Sequence, residues 1–296
     1  MSEISIKGMK KTIDDFSLGP IDLTFELGTI TAIVGNNGAG KSTLLKMLMH
    51  LVKADVGQIK ICGQSVSGKE EDWKAKVAYL PQTVIGWELF TGRKLLELVS
   101  KWYPTWDQQM FERIVEMFQI PLNKKYSKLS QGMQQKLNIA LTLARDTAIL
   151  ILDEPTAHMD IPSKQMLMDI FVEWMERGEK LMIISSHQAE DIRKLADYLV
   201  IIKEGSLLGK FDKDELTESY KRYWMEQPLP NERIPGEIAR KNARIIVTNR
   251  PDETEVFFTS EGFSWLQAES LELEEIITYM LTNGGGQGDG EIGFDR

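Results

Sequence analysis

Ile30-Thr-Ala-Ile-Val34 runs straight into Gly35-Asn36-Asn37-Gly38-Ala39-Gly40-Lys41-Ser42-Thr43, and this junction sets the class of the whole chain. The first five residues read as a buried strand, residues 41–51 carry a helical pattern, and the turn between them fits G-x-x-x-x-G-K-[ST]. Glycines let successive backbone N–H groups turn inward around an anion with no Cβ in the way. The helix that follows adds the positive end of its dipole to that cradle. In such a loop Lys41 reaches the β- and γ-phosphates of a nucleotide, and Ser42 offers a hydroxyl to Mg²⁺. A plain glycine-rich turn with an exposed lysine would leave the flanking strand and helix unexplained.

Outward from this junction, short apolar runs alternate with longer helical patterns, which predicts an α/β fold with a parallel sheet covered on both faces. Residues 148–152, 181–184 and 198–202 read as strands, and 162–177 as a helix with Pro162 in its first turn and Gly178 just past its end. Residues 83–128 break the rhythm. They read as an inserted helical region, with helices over 93–101 and 107–119 and breaks at Pro104 and Pro121. Beyond about residue 220 the pattern changes again: Pro228, Pro230 and Pro235 mark a linker, 243–248 and 255–259 read as strands, and 271–280 as a helix. The expected organisation is a main domain over 1–220 with a helical subdomain at about 83–145, an α+β extension over 221–283, and a disordered Gly-rich tail over 284–296.

The totals fit this outline. A chain of 296 residues with 42% apolar and 27% charged residues is long enough for one large domain and a small appendage. No apolar run approaches the ~18 residues that a membrane-spanning helix needs, and the N-terminus does not read as a signal peptide. Cys62 is the single cysteine, so no internal disulfide forms, and a cytoplasmic location is expected. The net charge of −9 is concentrated at the end, where residues 252–296 hold eleven acids against one base, Arg296. A nearly neutral body with an acidic end gives no support to nucleic-acid binding; the acidity reads as a solvated surface.

Two acids, Asp153 and Glu154, stand at the C-terminal tip of the strand ending at Leu152. Acids at the tip of a buried strand are costly without a partner, and strand C-termini are where open α/β sheets bind ligands. A magnesium-nucleotide supplies that partner. Asp153 is expected to hold Mg²⁺, and Glu154 to polarise the attacking water as a general base. The next apolar strand leads to Ser185-Ser186-His187. Its tip is expected beside that of the acid-bearing strand, which makes His187 a sensor of the γ-phosphate, whereas His50 and His158 read as structural.

A phosphate loop alone fits kinases, GTPases and many ATPases. Leu129-Ser-Gln-Gly-Met-Gln-Gln-Lys136, opening a helix just before the acid-bearing strand, resembles the L-S-G-G-Q signature of ABC ATPases. Ser130 and Gly132 at a helix N-terminus make a second anion site. One chain cannot place both sites on one phosphate, so the second is expected to face a nucleotide held by a partner protomer. Tyr79-Leu-Pro-Gln82 resembles the family's Q-loop, with Gln82 sensing Mg²⁺ and the water. Ala157-His-Met-Asp160 resembles the D-loop that contacts the partner's site, and His187 matches the switch histidine. The resemblance spans roughly residues 4–209. It implies a P-loop NTPase fold with a RecA-like core, an antiparallel β subdomain and the helical insertion, binding ATP and Mg²⁺ and hydrolysing ATP.

Gln131 and Met133 depart from the usual signature residues. The adenine-stacking aromatic of the family has Phe16 as its nearest candidate, with core packing below Leu23 as the alternative. Leu18-Gly-Pro-Ile21, Tyr103-Pro-Thr-Trp-Asp107 and the Leu-Ser-Gln-Gly-Met form resemble ABC-2-type exporter subunits of the YtrB-like and bacitracin-export-like kind. That likeness implies a second ATPase protomer, identical or related, and separate membrane-spanning permease subunits that hold the chain at the inner face of the cell membrane. Trp87, Leu89 and Phe90 are expected either to anchor a helix of the permease or to form a buried cluster. A soluble ABC protein acting on ribosomes or DNA is the competing reading. It is disfavoured because the chain has one cassette, no long coiled coil and no basic patch. An inactive subunit is disfavoured by the presence of Lys41, Asp153, Glu154 and His187 together.

Overall fold

A computed structural model describes residues 2–283. The chain divides into two compact units, the first through Lys210 and the second from Phe211 onward, so the second unit begins ten residues before the boundary expected near 220.

The first unit holds two sheets. Strands β1 (Ser2–Ile13), β2 (Phe16–Glu26), β4 (Val56–Ile61) and β5 (Gln64–Ser65) form an antiparallel sheet in the order β2-β1-β4-β5. Ile21, Leu23 and Phe25 of β2 point inward and the residues between them outward, the alternation of a sheet with one wet face. The second sheet contains β3 (Ile30–Val34), β6 (Val77–Leu80), β7 (Ile149–Asp153), β8 (Leu181–Ser185), β9 (Tyr198–Lys203) and β10 (Ser206–Asp212), in the order β10-β9-β3-β8-β7-β6. Every residue of β3, β6, β7 and β8 is buried, which is why these runs are apolar without alternation. Their pairings are parallel, so their C-terminal tips share one edge.

Helix α1 (Lys41–Leu48) buries Leu44, Leu45 and Leu48 in the same core as Ile33, Ile151 and Ile183. Each such leucine contributes about 1.5–3 kcal/mol, enough to fix the helix although no side chain caps its start. Between β6 and β7 lie α2 (Gly92–Ser100), α3 (Gln108–Met117) and α4 (Gln131–Leu143). Thr91, Asp107 and Ser130 cap them by accepting from the amides of Lys94, Met110 and Met133; each cap contributes roughly 1 kcal/mol. Helices α5 (Ile161–Glu176) and α6 (Ala189–Leu195) complete this unit.

The second unit is built from α7 (Lys213–Glu218), β11 (Lys221–Met225), β12 (Glu237–Lys241), β13 (Ile245–Thr248), α8 (Pro251–Glu261), β14 (Trp265–Ser270) and α9 (Leu273–Asn283). Its four strands form an antiparallel sheet in the order β12-β13-β11-β14. One expectation fails here: residues 255–259 are not a strand but the middle of α8. Pro251 opens the helix, Asp252 and Glu253 favour its positive end, and Gly262 closes it at φ +74°. Thr254 and Phe258, one turn apart, are the buried residues of this helix. Phe258 packs edge-on to Tyr223 at 5.4 Å between ring centres. The tail expected over 284–296 lies outside the described residues.

Thr254 Oγ1 lies 2.7 Å from Thr248 Oγ1 and 2.8 Å from the Pro235 carbonyl oxygen, in a fully buried position. Thr254→Val removes these bonds while keeping the shape, and the Thr248 hydroxyl loses its side-chain partner. The expected cost is about 1–2 kcal/mol, read as an earlier midpoint in denaturant unfolding; an unchanged midpoint would show that these bonds add nothing.

Candidate active site

The register places the site. Ser185 at the end of β8 pairs with Ile33 of β3 on one side and with Asp153 of β7 on the other. The loop leaving β3 and the acids ending β7 therefore flank one strand tip.

In the loop over residues 35–43, two glycines are required by close approach. A Cβ on Gly35 would lie 2.2 Å from the Ile202 carbonyl oxygen. Gly40 has φ +109°, and its Cβ would meet Leu18 Cδ1 at 2.9 Å and Phe16 Cζ at 3.0 Å. Asn36, Asn37 and Gly38 are exposed at the tip, while Ala39 is buried beneath it and its amide donates to the Asn36 carbonyl at 3.0 Å. Thr43 sits half-buried in the first turn of α1. Lys41 is buried, its Nζ donating to the carbonyls of Gly35 at 2.7 Å and Asn36 at 3.2 Å. Burial holds its ammonium below the ordinary lysine value, against the opposing pull of Glu154 and Asp153.

Asp153 Oδ1 accepts from Ser185 Oγ at 2.6 Å and from Ser42 Oγ at 3.1 Å. Its other oxygen, Oδ2, is buried and has no hydrogen-bond partner among the described residues. Ser185 Oγ also accepts from the Glu154 amide at 3.1 Å, so one hydroxyl ties both acids. The Glu154 side chain is buried, with Oε2 2.8 Å from Nδ1 of the exposed His187. An Nδ1–H donating to this carboxylate leaves Nε2 facing outward, an arrangement of acid and orienting imidazole suited to activating a water.

Lys41, Ser42, Asp153, Glu154 and His187 thus converge. Phe16 is half-buried at the edge of the core with its ring against Gly40; it touches the phosphate loop and the core at once. Gln82 lies exposed just past β6, and among the described residues its side chain has no hydrogen bond to these groups. Ser130 is exposed at the start of α4, its Oγ accepting from the Met133 amide at 3.3 Å. Neither Ser130 nor Gly132 bonds to residues 35–43 among the described residues. Asp160 caps α5 by accepting from the Ser163 amide at 2.8 Å, and the Ser163 hydroxyl together with that amide holds its carboxyl below the ordinary range.

Three contributors escape a reading of the sequence. Ser185 is visible only once β7 and β8 are in register. Thr156 donates to the buried Asp191 at 2.6 Å, bracing the segment after Glu154. Gln135 donates from Nε2 to the carbonyls of Pro155 at 3.0 Å and Glu154 at 3.4 Å; its spacing from Gly132 along one helix face is the signal that would have found it.

Comparison with known proteins agrees with this geometry. The family model described as "ABC transporter" matches residues 18–157. YtrB, an ABC transporter ATP-binding protein of Bacillus subtilis, is 29% identical over 218 residues, 73% of this chain and 74% of that protein. The petrobactin import ATP-binding protein FpuD of Bacillus anthracis is 31% identical over 211 residues, 67% of this chain and 76% of that protein. The fold is also that of a dimeric ATP-binding cassette solved in a post-hydrolysis state with ADP and Pi, with a TM-score of 0.63 at 21% identity over 71% of this chain and 98% of that one. With a phosphate loop, two acids and a histidine gathered at one sheet edge, the chain belongs to the ABC transporter family as an ATP-binding subunit and ATPase.

Proposed function

We propose that this chain drives a transporter whose membrane-spanning part is made of separate subunits. In this reading it works as a dimer, in which phosphates held by residues 35–43 of one protomer are closed over by Ser130 and Gly132 of a second. The carrying observation is the separation of the two anion-binding ends: Ser130 opens α4 exposed and unconnected to its own phosphate loop. A helix N-terminus so placed serves a phosphate held elsewhere. The dimeric cassette with ADP and Pi supports the arrangement, and Asp160, exposed beside the same helix end, is assigned to contact the second protomer.

Within one site, Glu154 takes the proton of the attacking water and His187 orients it beside the γ-phosphate. Asp153 Oδ2, buried without a partner among the described residues on the carboxylate whose other oxygen meets the Ser42 hydroxyl, fits a hard cation with oxygen ligands. Among the described residues no group of three or more His, Cys, Asp or Glu side chains could hold a metal unaided. Ser42 and Asp153 would hold Mg²⁺, and when bound it neutralises charge on the β- and γ-phosphate oxygens. Gln82 links this site to the helical insertion, and Phe16, flanking Gly40, is the proposed stacking partner for adenine.

Among the described residues no helix is long and apolar enough to cross a membrane, so recruitment is assigned to the partner subunits. Ile85 and Leu89, just past Gln82, are 83% and 77% exposed, with Phe90 beside them. Trp87 is half-buried and edge-on to Tyr126 at 5.8 Å, so it braces this surface instead of forming its outer face. Exposed apolar side chains grouped this closely suit a short helix from a membrane subunit. Export is the proposed direction, and it rests on the resemblance to ABC-2-type exporters, not on a feature of the site. Leu89→Asp is expected to keep ATPase activity in solution while recruitment to membranes bearing the permease falls at least tenfold. Undiminished co-sedimentation with those membranes, or co-sedimentation with ribosomes, would defeat the docking assignment.

A further inference from the structure

Gly132, Gln135 and Lys136 stand on one face of α4, at the three- and four-residue spacing that places helix positions side by side. All three meet a single segment, residues 154–160. A Cβ on Gly132 would lie 2.7 Å from the His158 carbonyl oxygen. Gln135 Nε2 donates to the carbonyls of Pro155 and Glu154, and Lys136 Nζ lies 3.7 Å from Asp160 Oδ2. Gln135 is buried, so its amide has no competing water.

The clamped segment is held in an unfavourable conformation. Glu154 and His158 have φ of +52° and +61°, a region that costs a residue with a Cβ roughly 1–3 kcal/mol and persists only where neighbours enforce it. At Glu154 the enforcement comes from two sides. Its amide is tied to Ser185, through Oγ at 3.1 Å and the carbonyl at 3.2 Å. Its own carbonyl and that of Pro155 are tied to Gln135. The side chain that leaves this backbone ends 2.8 Å from His187, so a twist of the 154–155 peptide moves the carboxylate away from the imidazole.

We propose that Gln135 is a positioning residue for hydrolysis: by clamping the Glu154 and Pro155 carbonyls it fixes the Glu154 carboxylate against His187 without touching the nucleotide. This rests on the reading of Glu154 as the base.

Gln135→Met keeps the length of the side chain and removes the donor. Losing about one net hydrogen bond's worth of positioning is expected to lower kcat about tenfold, with the ATP dissociation constant and KM unchanged within about twofold. In the Glu154→Gln background, single-turnover hydrolysis is expected to show no further loss, because the group being positioned is gone. A normal kcat in Gln135→Met, or an equal fall in both backgrounds, overturns the positioning role. If instead Glu154→Gln alone turns over normally, the base reading fails, whatever Gln135 does. Should Gln135→Met fold poorly, judged by its melting curve, Gln135→Glu keeps the shape and sets an acceptor against two carbonyls. It is expected to lower kcat by at least as much with binding retained; normal turnover there also overturns the proposal.

Discussion

Glu154→Gln is expected to bind ATP with unimpaired affinity, to elute as a dimer with ATP present, and to hydrolyse it ~10²–10⁴-fold more slowly. The substitution is nearly silent in shape. The Glu154 backbone is pinned by Ser185 and Gln135, and a glutamine oxygen still accepts from His187. What disappears is the capacity to accept a proton from water, a loss of about 3–5 kcal/mol in barrier height. The signature is therefore a fall in kcat at steady KM, since an interaction made in the transition state and not in the ground state has been removed. Asp153 cannot take over. One of its oxygens already accepts from Ser42 and Ser185, and the other is sealed from solvent. Normal turnover by Glu154→Gln, measured as phosphate release under saturating ATP, would move the base elsewhere.

Much of the first unit could be read from the chain because its strands are buried on both faces. Five-residue runs such as 149–153 and 181–185 tolerate nothing polar before their tips, so the change from apolar to acid marks the end of the strand and the place of the chemistry. The loop at 35–43 was equally legible, its glycines being imposed by close approach of the Ile202 carbonyl at Gly35 and by positive φ at Gly38 and Gly40. The second unit hid its architecture. Glu255-Val-Phe-Phe-Thr259 is a short apolar run that fits a strand or a helix by periodicity alone, and the deciding signs, Pro251 before it and Gly262 after it, lie outside the run. Strand β14 carries no apolar alternation because all six residues are exposed. Within the site, the residues missed act on backbone or on other side chains. Ser185 and Gln135 serve through atoms whose partners lie 19 to 32 positions away in the chain, a relation that only strand register and helix packing create.

Lys41→Met is expected to weaken ATP binding about a hundredfold while leaving the unliganded fold almost as stable as before. Charged hydrogen bonds to two phosphates at ~1.5–3 kcal/mol each, set against the cost of immobilising the side chain, give about 3 kcal/mol, or roughly two decades in Kd. The stability term runs the other way from the usual loss of a contact. Among the described residues Lys41 bonds to carbonyls of its own loop, and burial disfavours its charge more than Glu154 and Asp153 favour it. Removing the ammonium forfeits two hydrogen bonds but relieves a desolvation cost, and the two nearly cancel, within about 1 kcal/mol. The pH dependence carries the same sign. A lysine whose folded value is depressed binds fewer protons folded than unfolded as pH approaches the ordinary lysine value, so wild-type stability gains on that of Lys41→Met as pH rises through this window. Unfolding midpoints at neutral and alkaline pH, beside ATP titrations of both proteins, separate the two effects. A variant that binds ATP normally would mean that this ammonium, though held within the loop, is not what grips the phosphates.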